Sequence, residues 1–470
     1  MNDKFSEEQW QNLLKELFHR FPSFQQSGAS AYKPGIENVV FFDQMAGHPH
    51  RQFKTIHVAG TNGKGSVSNM IASVLAAAGM RVGLYTSPHL LDFRERMRIR
   101  EAGGIRYISK QEVADFVGQW KPTFEHLNLS FFEITTMMAF RWFADQKIDI
   151  AVIETGLGGR LDTTNIISPE LSVITNIGLD HCDLLGETLS EIAFEKAGII
   201  KPCIPVVVGE SHPETDLVFE RKTLYSNLSE VEFMGDRNRI MSLLTFADKT
   251  EPQLWDKRES ILAQMDLQGS YQEKNLRTAL AAVTVLRQRG LLTPSLTDAQ
   301  VTDALVHTAS RMDFHGRWEK ISDDPYVLCD IGHNAHGLKY NFAQLQQLID
   351  SGAFTSLTLV YGSVNDKAIQ PVLELFPKSA EVIFTQADNH RAMEAVALDT
   401  LYKEVLSTRA NDNVPAATII GVCPQVPEAV AQALHHAAEK GGERPLIYIG
   451  GSTYIVSEAL PCFGKKFGLE

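Results

Sequence analysis

The sequence has no long hydrophobic run. No stretch approaches the roughly 18 consecutive apolar residues of a membrane-spanning helix, so no transmembrane helix is expected and no membrane partner. Cysteine is scarce: Cys182, Cys203, Cys329, Cys423 and Cys462 are scattered and form no CxxC pair. An odd, dispersed set in a long chain reads as reduced thiols in a cytoplasmic protein. Positive charge is in deficit, 44 Lys and Arg against 57 Asp and Glu, and the net charge of −13 argues against nucleic acid as a partner. Residues 1–20 contain no apolar signal core. There Trp10, Leu13, Leu14, Leu17 and Phe18 are spaced as one face of an amphipathic helix. Low-complexity segments and short internal repeats are also missing. What remains is 470 residues of ordinary globular-enzyme composition, long enough for two or three domains with ample core.

The rest of the chain is organised around Thr55–Ser66, TIHVAGTNGKGS. Ile56, Val58 and Ala59 read as a buried strand, Gly60-Thr61-Asn62-Gly63-Lys64-Gly65-Ser66 as a glycine-rich turn, and Val67–Gly79 as a helix stopped by glycine. A strand, a glycine loop and a helix N-terminus together hold phosphate: glycines let backbone N–H groups approach the oxygens, the helix end adds partial positive charge, and a lysine reaches the terminal phosphates. The loop departs twice from the general pattern GxxxxGK[ST]. Val58 stands where the first glycine belongs, and Gly65 separates Lys64 from Ser66.

Downstream, strands are expected at Arg81–Thr86, Ile148–Ile153 and Leu171–Ile177, and helices at 131–146, Thr188–Ile200, Tyr271–Gly290 and 297–308. Residues 88–108 read as an irregular, charged loop, and 211–270 carry only weak strand signals. Gly60, Ser87, Glu154 and His181 each follow a predicted strand, which is where open parallel sheets bind ligands. Near residue 310 the pattern restarts. Strands at 326–331, 357–362, 381–386, 416–422 and 445–450 alternate with helical segments and imply a second parallel, Rossmann-like sheet. The expected fold is therefore α/β: a phosphate-loop ATPase domain (1–310) with a central, mostly parallel sheet, a hinge near Ala309–His315, and a smaller Rossmann-like domain (311–470).

Lys196 falls in the apolar stripe Leu185, Leu189, Ile192, Ile199 and Ile200. A lysine there either snorkels past the helix end or is buried with a lowered pKa. Glu154, after an apolar strand, needs a cation or a donor, and magnesium fits an oxygen ligand beside phosphate. Ser130 with Glu133 forms a capping box, so Glu133 reads as structural. Asp162, after Gly158-Gly159, is a candidate turn cap. For Arg94, Arg96, Arg98, Arg100 and Arg106 two readings stand: a solvated strand face, or a landing site for an anionic substrate tail.

The ordered motifs GTNGKGS, SPHL, GLGGRLDTTN, GLDH and EKAGIIKP resemble those of the folylpolyglutamate synthase/dihydrofolate synthase family within the Mur ligase superfamily. The resemblance runs from about residue 30 to 455. It implies that Gly60–Ser66 and Asn275 bind ATP, that Ser66, Ser87, Glu154 and His181 ligate magnesium at two sites, and that Lys196 is carbamylated. It also implies pterin contacts from Leu161, Asp162, Thr163 and, less directly, Ser130 and the Lys33–Gly35 segment. In the second half, Arg317 and Asp330 match nucleotide-contacting positions, His333 a catalytic one, and Ser452 a glutamate-binding one. Ile331-Gly332 replaces the family's Gly-Ala between Asp330 and His333, and Thr155 stands where valine is usual.

The implied enzyme is an ATP-dependent ligase. It phosphorylates a substrate carboxylate and lets the amino group of L-glutamate attack the acyl phosphate, with dihydropteroate, reduced folates or both as acceptors, and with Lys64 and the metal stabilising developing charge. Small molecules are its expected partners, and a monomer its expected state. Either both synthase activities or folylpolyglutamate synthase activity alone would fit. A Mur-type ligase for UDP-linked precursors would carry a UDP-binding domain before the phosphate loop, where fewer than 60 residues stand. A regulatory nucleotide-binding module would not need Glu154, His181 and Lys196 together.

Overall fold

The computed structural model describes residues 5–23, 28, 33, 35–227, 241–365, 367–411, 416–440 and 444–464. Pro34 of the Lys33–Gly35 segment lies outside them. The chain forms two compact units, Met1–Asp266 with Gln272–Phe314, and Leu267–Tyr271 with His315–Glu470. The division falls after Phe314 rather than at residue 310. The short run Leu267–Tyr271 groups with the second unit, where Ser270 N–H donates to Gln344 Oε1 at 2.7 Å and the Tyr271 hydroxyl to Asp330 at 2.6 Å.

The first unit is built on eight strands: β1 (Lys54–Ala59), β2 (Val82–Tyr85), β3 (Met97–Glu101), β4 (Gly104–Tyr107), β5 (Ile150–Glu154), β6 (Leu171–Ile174), β7 (Val206–Val208) and β8 (Leu244–Phe246). Their order is β4-β3-β2-β5-β1-β6-β7-β8, parallel except for the antiparallel pairings of β3 with β2 and β4. β1 lies between β5 and β6 and is buried after its first residue. Because the chain passes from β5 to β6 across β1, a topological switch opens at the carboxyl end of β1, where the glycine loop begins.

The helix Lys64–Ala77 begins at the loop's lysine, three residues earlier than expected, and is buried continuously from Gly65 to Leu75. It packs against the helices Gln272–Gln288, Asp298–Val306 and Thr308–Met312. An aromatic-rich core that includes Trp10, Phe42, Tyr85, Phe124, Phe140 and Phe143 fills the space between the sheet and the helices Glu7–Arg20, Glu37–Met45, Lys110–His126 and Phe131–Asp145. Each such buried side chain contributes about 1.5–3 kcal/mol of transfer free energy.

Residues 88–108 are not an irregular loop. Asp92 and Glu95 cap a short 3-10 turn over Phe93–Arg96, and the chain then forms the β3–β4 hairpin. The apolar alternation that drives it, Met97 and Ile99, is embedded among arginines. Within 211–270 the chain forms the helix Asp216–Ser226, the edge strand β8 and the helix Arg258–Gln264.

The second unit carries β9 (Glu319–Asp323), β10 (Tyr326–Asp330), β11 (Ser356–Tyr361), β12 (Ala380–Thr385), β13 (Thr418–Cys423) and β14 (Pro445–Gly450) in the order β13-β12-β11-β14-β10-β9. The five expected strands are parallel. β9, an antiparallel edge strand against β10, is an addition. Leu338, Phe342, Phe376, Phe384, Tyr402 and Tyr448 anchor its core.

Among the described residues no helix is long and apolar enough to cross a membrane. None of the five cysteines is in a disulfide.

Candidate active site

The glycine loop is shaped from two sides. From the end of β6, Asn176 accepts Asn62 N–H on its Oδ1 at 2.9 Å, and its backbone carbonyl accepts Thr61 N–H. Thr175 Oγ1 donates to the Asn62 carbonyl at 2.5 Å. From the helix Gln272–Gln288, Asn275 Nδ2 donates to Gln272 Oε1, and Gln272 Nε2 donates to Ser66 Oγ at 3.3 Å. Thr175, Asn176 and Gln272 are the residues that sequence reasoning missed. As neutral side chains they carry no charge signature, so no local pattern marks them.

Two glycines are obligatory for this shape. Gly60 has φ +151°, and a Cβ there would lie 1.8 Å from Thr175 Oγ1. Gly63 has φ +82°, and a Cβ there would lie 2.3 Å from Asn275 Oδ1. Gly63 is the helix N-cap, and no side chain caps it. The first turn therefore presents backbone N–H groups and the positive end of the helix dipole toward the loop.

Two lysines converge on one oxygen. Lys64 Nζ donates to the Gly60 carbonyl at 2.9 Å and to the Thr61 carbonyl at 3.2 Å, and Lys196 Nζ donates to the same Gly60 carbonyl at 3.0 Å. Lys196 is 4% exposed, so it does not snorkel. Burial first, then repulsion from Lys64, lowers its pKa to about 7. Its helix, Leu189–Ala197, is started by a Thr188–Glu191 capping box and packs through Ala193 and Ala197 under β6 and β7.

The candidate metal residues all lie in this unit. Glu154 ends β5 and is buried, Ser66 is buried in the first helical turn, and Ser87 follows β2. His181 has φ +52°, and its N–H donates to Asp180 Oδ1 at 3.0 Å. No cluster of three or more His, Cys, Asp or Glu side chains able to hold a metal exists among the described residues. Glu154, Ser66 and Ser87 are hard oxygen donors, the type magnesium takes beside nucleotide oxygens, and His181 would add an imidazole nitrogen.

Asp162 is a loop organiser. Oδ2 accepts Gly156 and Leu157 N–H at 2.9 and 2.8 Å, and Oδ1 accepts the Thr164 N–H and hydroxyl at 3.0 and 2.5 Å. These four bonds make the carboxylate a support of the surrounding loop. Burial raises its pKa despite them. Thr164 Oγ1 also bonds His57 Nε2 at 2.8 Å. Ser130 is likewise committed: its hydroxyl donates to Glu133 Oε2 at 2.7 Å and accepts Glu133 N–H at 3.3 Å. Leu161 is half-buried and Thr163 is buried beside Asp162, while Gly35 has φ +122°.

Three of the five arginines are buried rather than on a solvated face. Arg94, Arg96 and Arg98 are 8%, 3% and 3% exposed. Arg94 pairs with Asp92, Arg96 donates to His89 Nδ1, and Arg106 donates to Glu112 and Gln146.

In the second unit, Asp330 ends β10 in register with Gly450 of β14. It accepts the Tyr271 hydroxyl, Trp318 N–H at 2.8 Å and Gly332 N–H at 2.7 Å. Asp330 thus fixes the turns around Trp318 and Gly332. Arg317 Nη1 donates to the Gly316 carbonyl, His333 is half-buried near the Ile331 carbonyl, and Ser452 caps the helix Thr453–Ala459.

Residues 58–283 match the family model of the Mur ligase middle domain, and residues 316–452 that of the Mur ligase glutamate ligase domain. Fold and site together define an ATP-dependent, two-domain amide ligase. The chain is 31% identical over 440 residues to a Bacillus subtilis dihydrofolate synthase/folylpolyglutamate synthase, covering 91% of this chain and 94% of that protein. It is 32% identical over 370 residues to a Lacticaseibacillus casei folylpolyglutamate synthase, covering 74% and 78%. The structure of Mycobacterium tuberculosis folylpolyglutamate synthase complexed with ADP superposes with a TM-score of 0.76 at 25% identity, covering 97% of this chain and 98% of that one. The chain belongs to the dihydrofolate synthase/folylpolyglutamate synthase family, the one its ordered motifs imply.

Proposed function

We propose that this protein ligates L-glutamate to both dihydropteroate and reduced folates, with ATP converted to ADP and phosphate. The observation that carries the reading is the glycine loop, cradled by Thr175 and Asn275, with Lys64 and Lys196 meeting at the Gly60 carbonyl. The acceptor carboxylate takes the terminal phosphoryl group of ATP, and the glutamate amine then displaces phosphate from the acyl phosphate to leave an amide. Lys64 turns from the Gly60 and Thr61 carbonyls toward the transferred phosphoryl group, and the loop N–H groups bind the remaining phosphates. Ser66, Ser87, Glu154 and His181 would hold magnesium at two sites, and the ion would supply charge neutralisation on the phosphates.

With a pKa near 7, Lys196 is a poised amine for carbon dioxide. Its nitrogen forms an N–C bond and releases a proton, and the carbamate becomes an additional anionic oxygen donor. Asp162 sets the loop whose Leu161 and Thr163 face the pterin. In the second unit Arg317 and Asp330 are assigned to the nucleotide, His333 to catalysis and Ser452 to glutamate.

The test is phosphate release with magnesium, ATP and L-glutamate, with dihydropteroate in one reaction and tetrahydrofolate in the other. Release in both is expected. Release in one alone identifies a single-activity enzyme, and release in neither, from folded protein that binds ATP, overturns the reading.

A further inference from the structure

Arg98 is buried, yet its hydrogen bonds run to main-chain carbonyls. Nη1 donates to the Met312 carbonyl at 2.6 Å and to the Asp313 carbonyl at 2.8 Å. Asp313 has φ +48°, a left-handed conformation that costs a non-glycine residue energy and persists only where its surroundings enforce it. Tyr107, the direct cross-strand neighbour of Arg98, donates its hydroxyl to Asp313 Oδ2. Two adjacent side chains on one hairpin therefore hold the backbone and the side chain of the same strained residue. That residue lies two positions before His315, where the chain enters the second unit.

The second terminal nitrogen of Arg98 contacts residues next to the glycine loop and Ser87. Nη2 lies 3.4 Å from Asn69 Oδ1 and 3.5 Å from Thr86 Oγ1. Asn69 Nδ2 donates to the Gly65 carbonyl of the glycine loop at 2.7 Å, and Thr86 precedes Ser87. The helix Thr308–Met312 packs on both the helix Lys64–Ala77 and β4. One guanidinium thus joins the phosphate loop, the carboxyl end of β2 and the linker, and does so with fixed planar geometry that lysine lacks.

We propose that Arg98 is a positioning residue that couples occupancy of the phosphate loop to the conformation of the Met312–Asp313 linker, so that nucleotide binding and glutamate ligation proceed as one cycle. The proposal rests on the ligase reading above. Any change in Gly65 when phosphate binds is passed through Asn69 and Arg98 to the two linker carbonyls.

The test compares wild type with Arg98→Met, which keeps apolar bulk but deletes every donor, and with Tyr107→Phe, which deletes one hydroxyl. ADP affinity is read by calorimetry and steady-state ligation by phosphate release. Arg98→Met is expected to leave the ADP Kd within 3-fold and to lower kcat for ligation at least 30-fold. Tyr107→Phe is expected to lower kcat 3- to 10-fold with unchanged Kd. Parallel losses in Kd and kcat would mark a merely structural residue, and unchanged kcat in either variant would also overturn the coupling. If Arg98→Met does not fold, Tyr107→Phe with Asp313→Asn decides on the same criteria. A wild-type protein that releases no phosphate with any folate acceptor refutes the ligase reading itself, separately from the coupling.

Discussion

Lys64 and Lys196 donate to the same carbonyl oxygen, that of Gly60, at 2.9 and 3.0 Å. Two ammonium groups cannot share one acceptor in a buried setting without cost. The cost falls on Lys196, the more buried, whose pKa drops to about 7. An unfolded lysine titrates near 10.4, so between about pH 7 and 10 the unfolded chain holds a proton that the folded chain has lost. Stability attributable to this group is therefore lowest below pH 7 and rises with pH through that window. Lys196→Met is expected to flatten that rise in urea unfolding series from pH 6.5 to 9.5. It is also expected to reduce ligation by about 10²- to 10³-fold. In wild type incubated with ¹³C-labelled bicarbonate, a carbamate carbon resonance should appear and be missing from the variant.

Gly63 offers a sharper probe of the phosphate cradle. Alanine there meets both a positive φ and the Asn275 amide oxygen 2.3 Å from its Cβ. Strain and displacement together are expected to cost about 1–3 kcal/mol of stability. Because Asn275 must move, ADP affinity measured by calorimetry should fall at least 10-fold. A variant that loses stability but binds ADP normally would show that the Gly63–Asn275 contact does not shape the nucleotide site.

His57 contributes to the acid limb. It is fully buried in β1, and its pKa is pushed down to about 3 by desolvation, with a smaller contribution from Lys201. Thr164 Oγ1 donates to Asp162, so it accepts from His57 Nε2–H, which leaves Nδ1 as the buried atom without a partner among the described residues. The unfolded chain takes up a proton near pH 6.5 that the folded chain refuses until about pH 3, so stability falls as pH drops through that interval. His57→Gln retains a donor toward Thr164 and removes the titration. Its acid-unfolding midpoint, followed by far-UV circular dichroism, should shift to lower pH than wild type.

Which parts of the molecule the sequence disclosed follows from what kind of signal each carries. β1, the glycine loop and the five parallel strands of the second unit stand out because fully buried strands are short apolar runs bounded by glycine or polar breaks. Glu154 and Lys196 were legible because a charge in an apolar run demands an explanation. The β3–β4 hairpin was not, since arginines interrupt its alternation and the main-chain partners of Arg98, Met312 and Asp313, lie more than 200 residues away. Thr175, Asn176 and Gln272 shape the loop through neutral hydrogen bonds that no local pattern announces. Asp162 and Ser130 stood out in the sequence as substrate candidates, whereas the loop and capping bonds they make are visible only in the structure.

Ser130 separates those two roles experimentally. Its hydroxyl accepts Glu133 N–H and donates to Glu133 Oε2, and Glu133 in turn accepts Ser130 N–H at 2.7 Å, a closed capping box at 8% exposure. Removing an N-cap hydroxyl costs about 1 kcal/mol, and here it also leaves a buried carboxylate short of one donor. Ser130→Ala should therefore lower the thermal midpoint by several degrees, while the KM for dihydropteroate stays within about 2-fold because the hydroxyl's one proton is already committed to Glu133. A KM that rises 10-fold with an unchanged midpoint would reverse the assignment, making the hydroxyl a substrate contact and the capping box dispensable to the helix Phe131–Asp145.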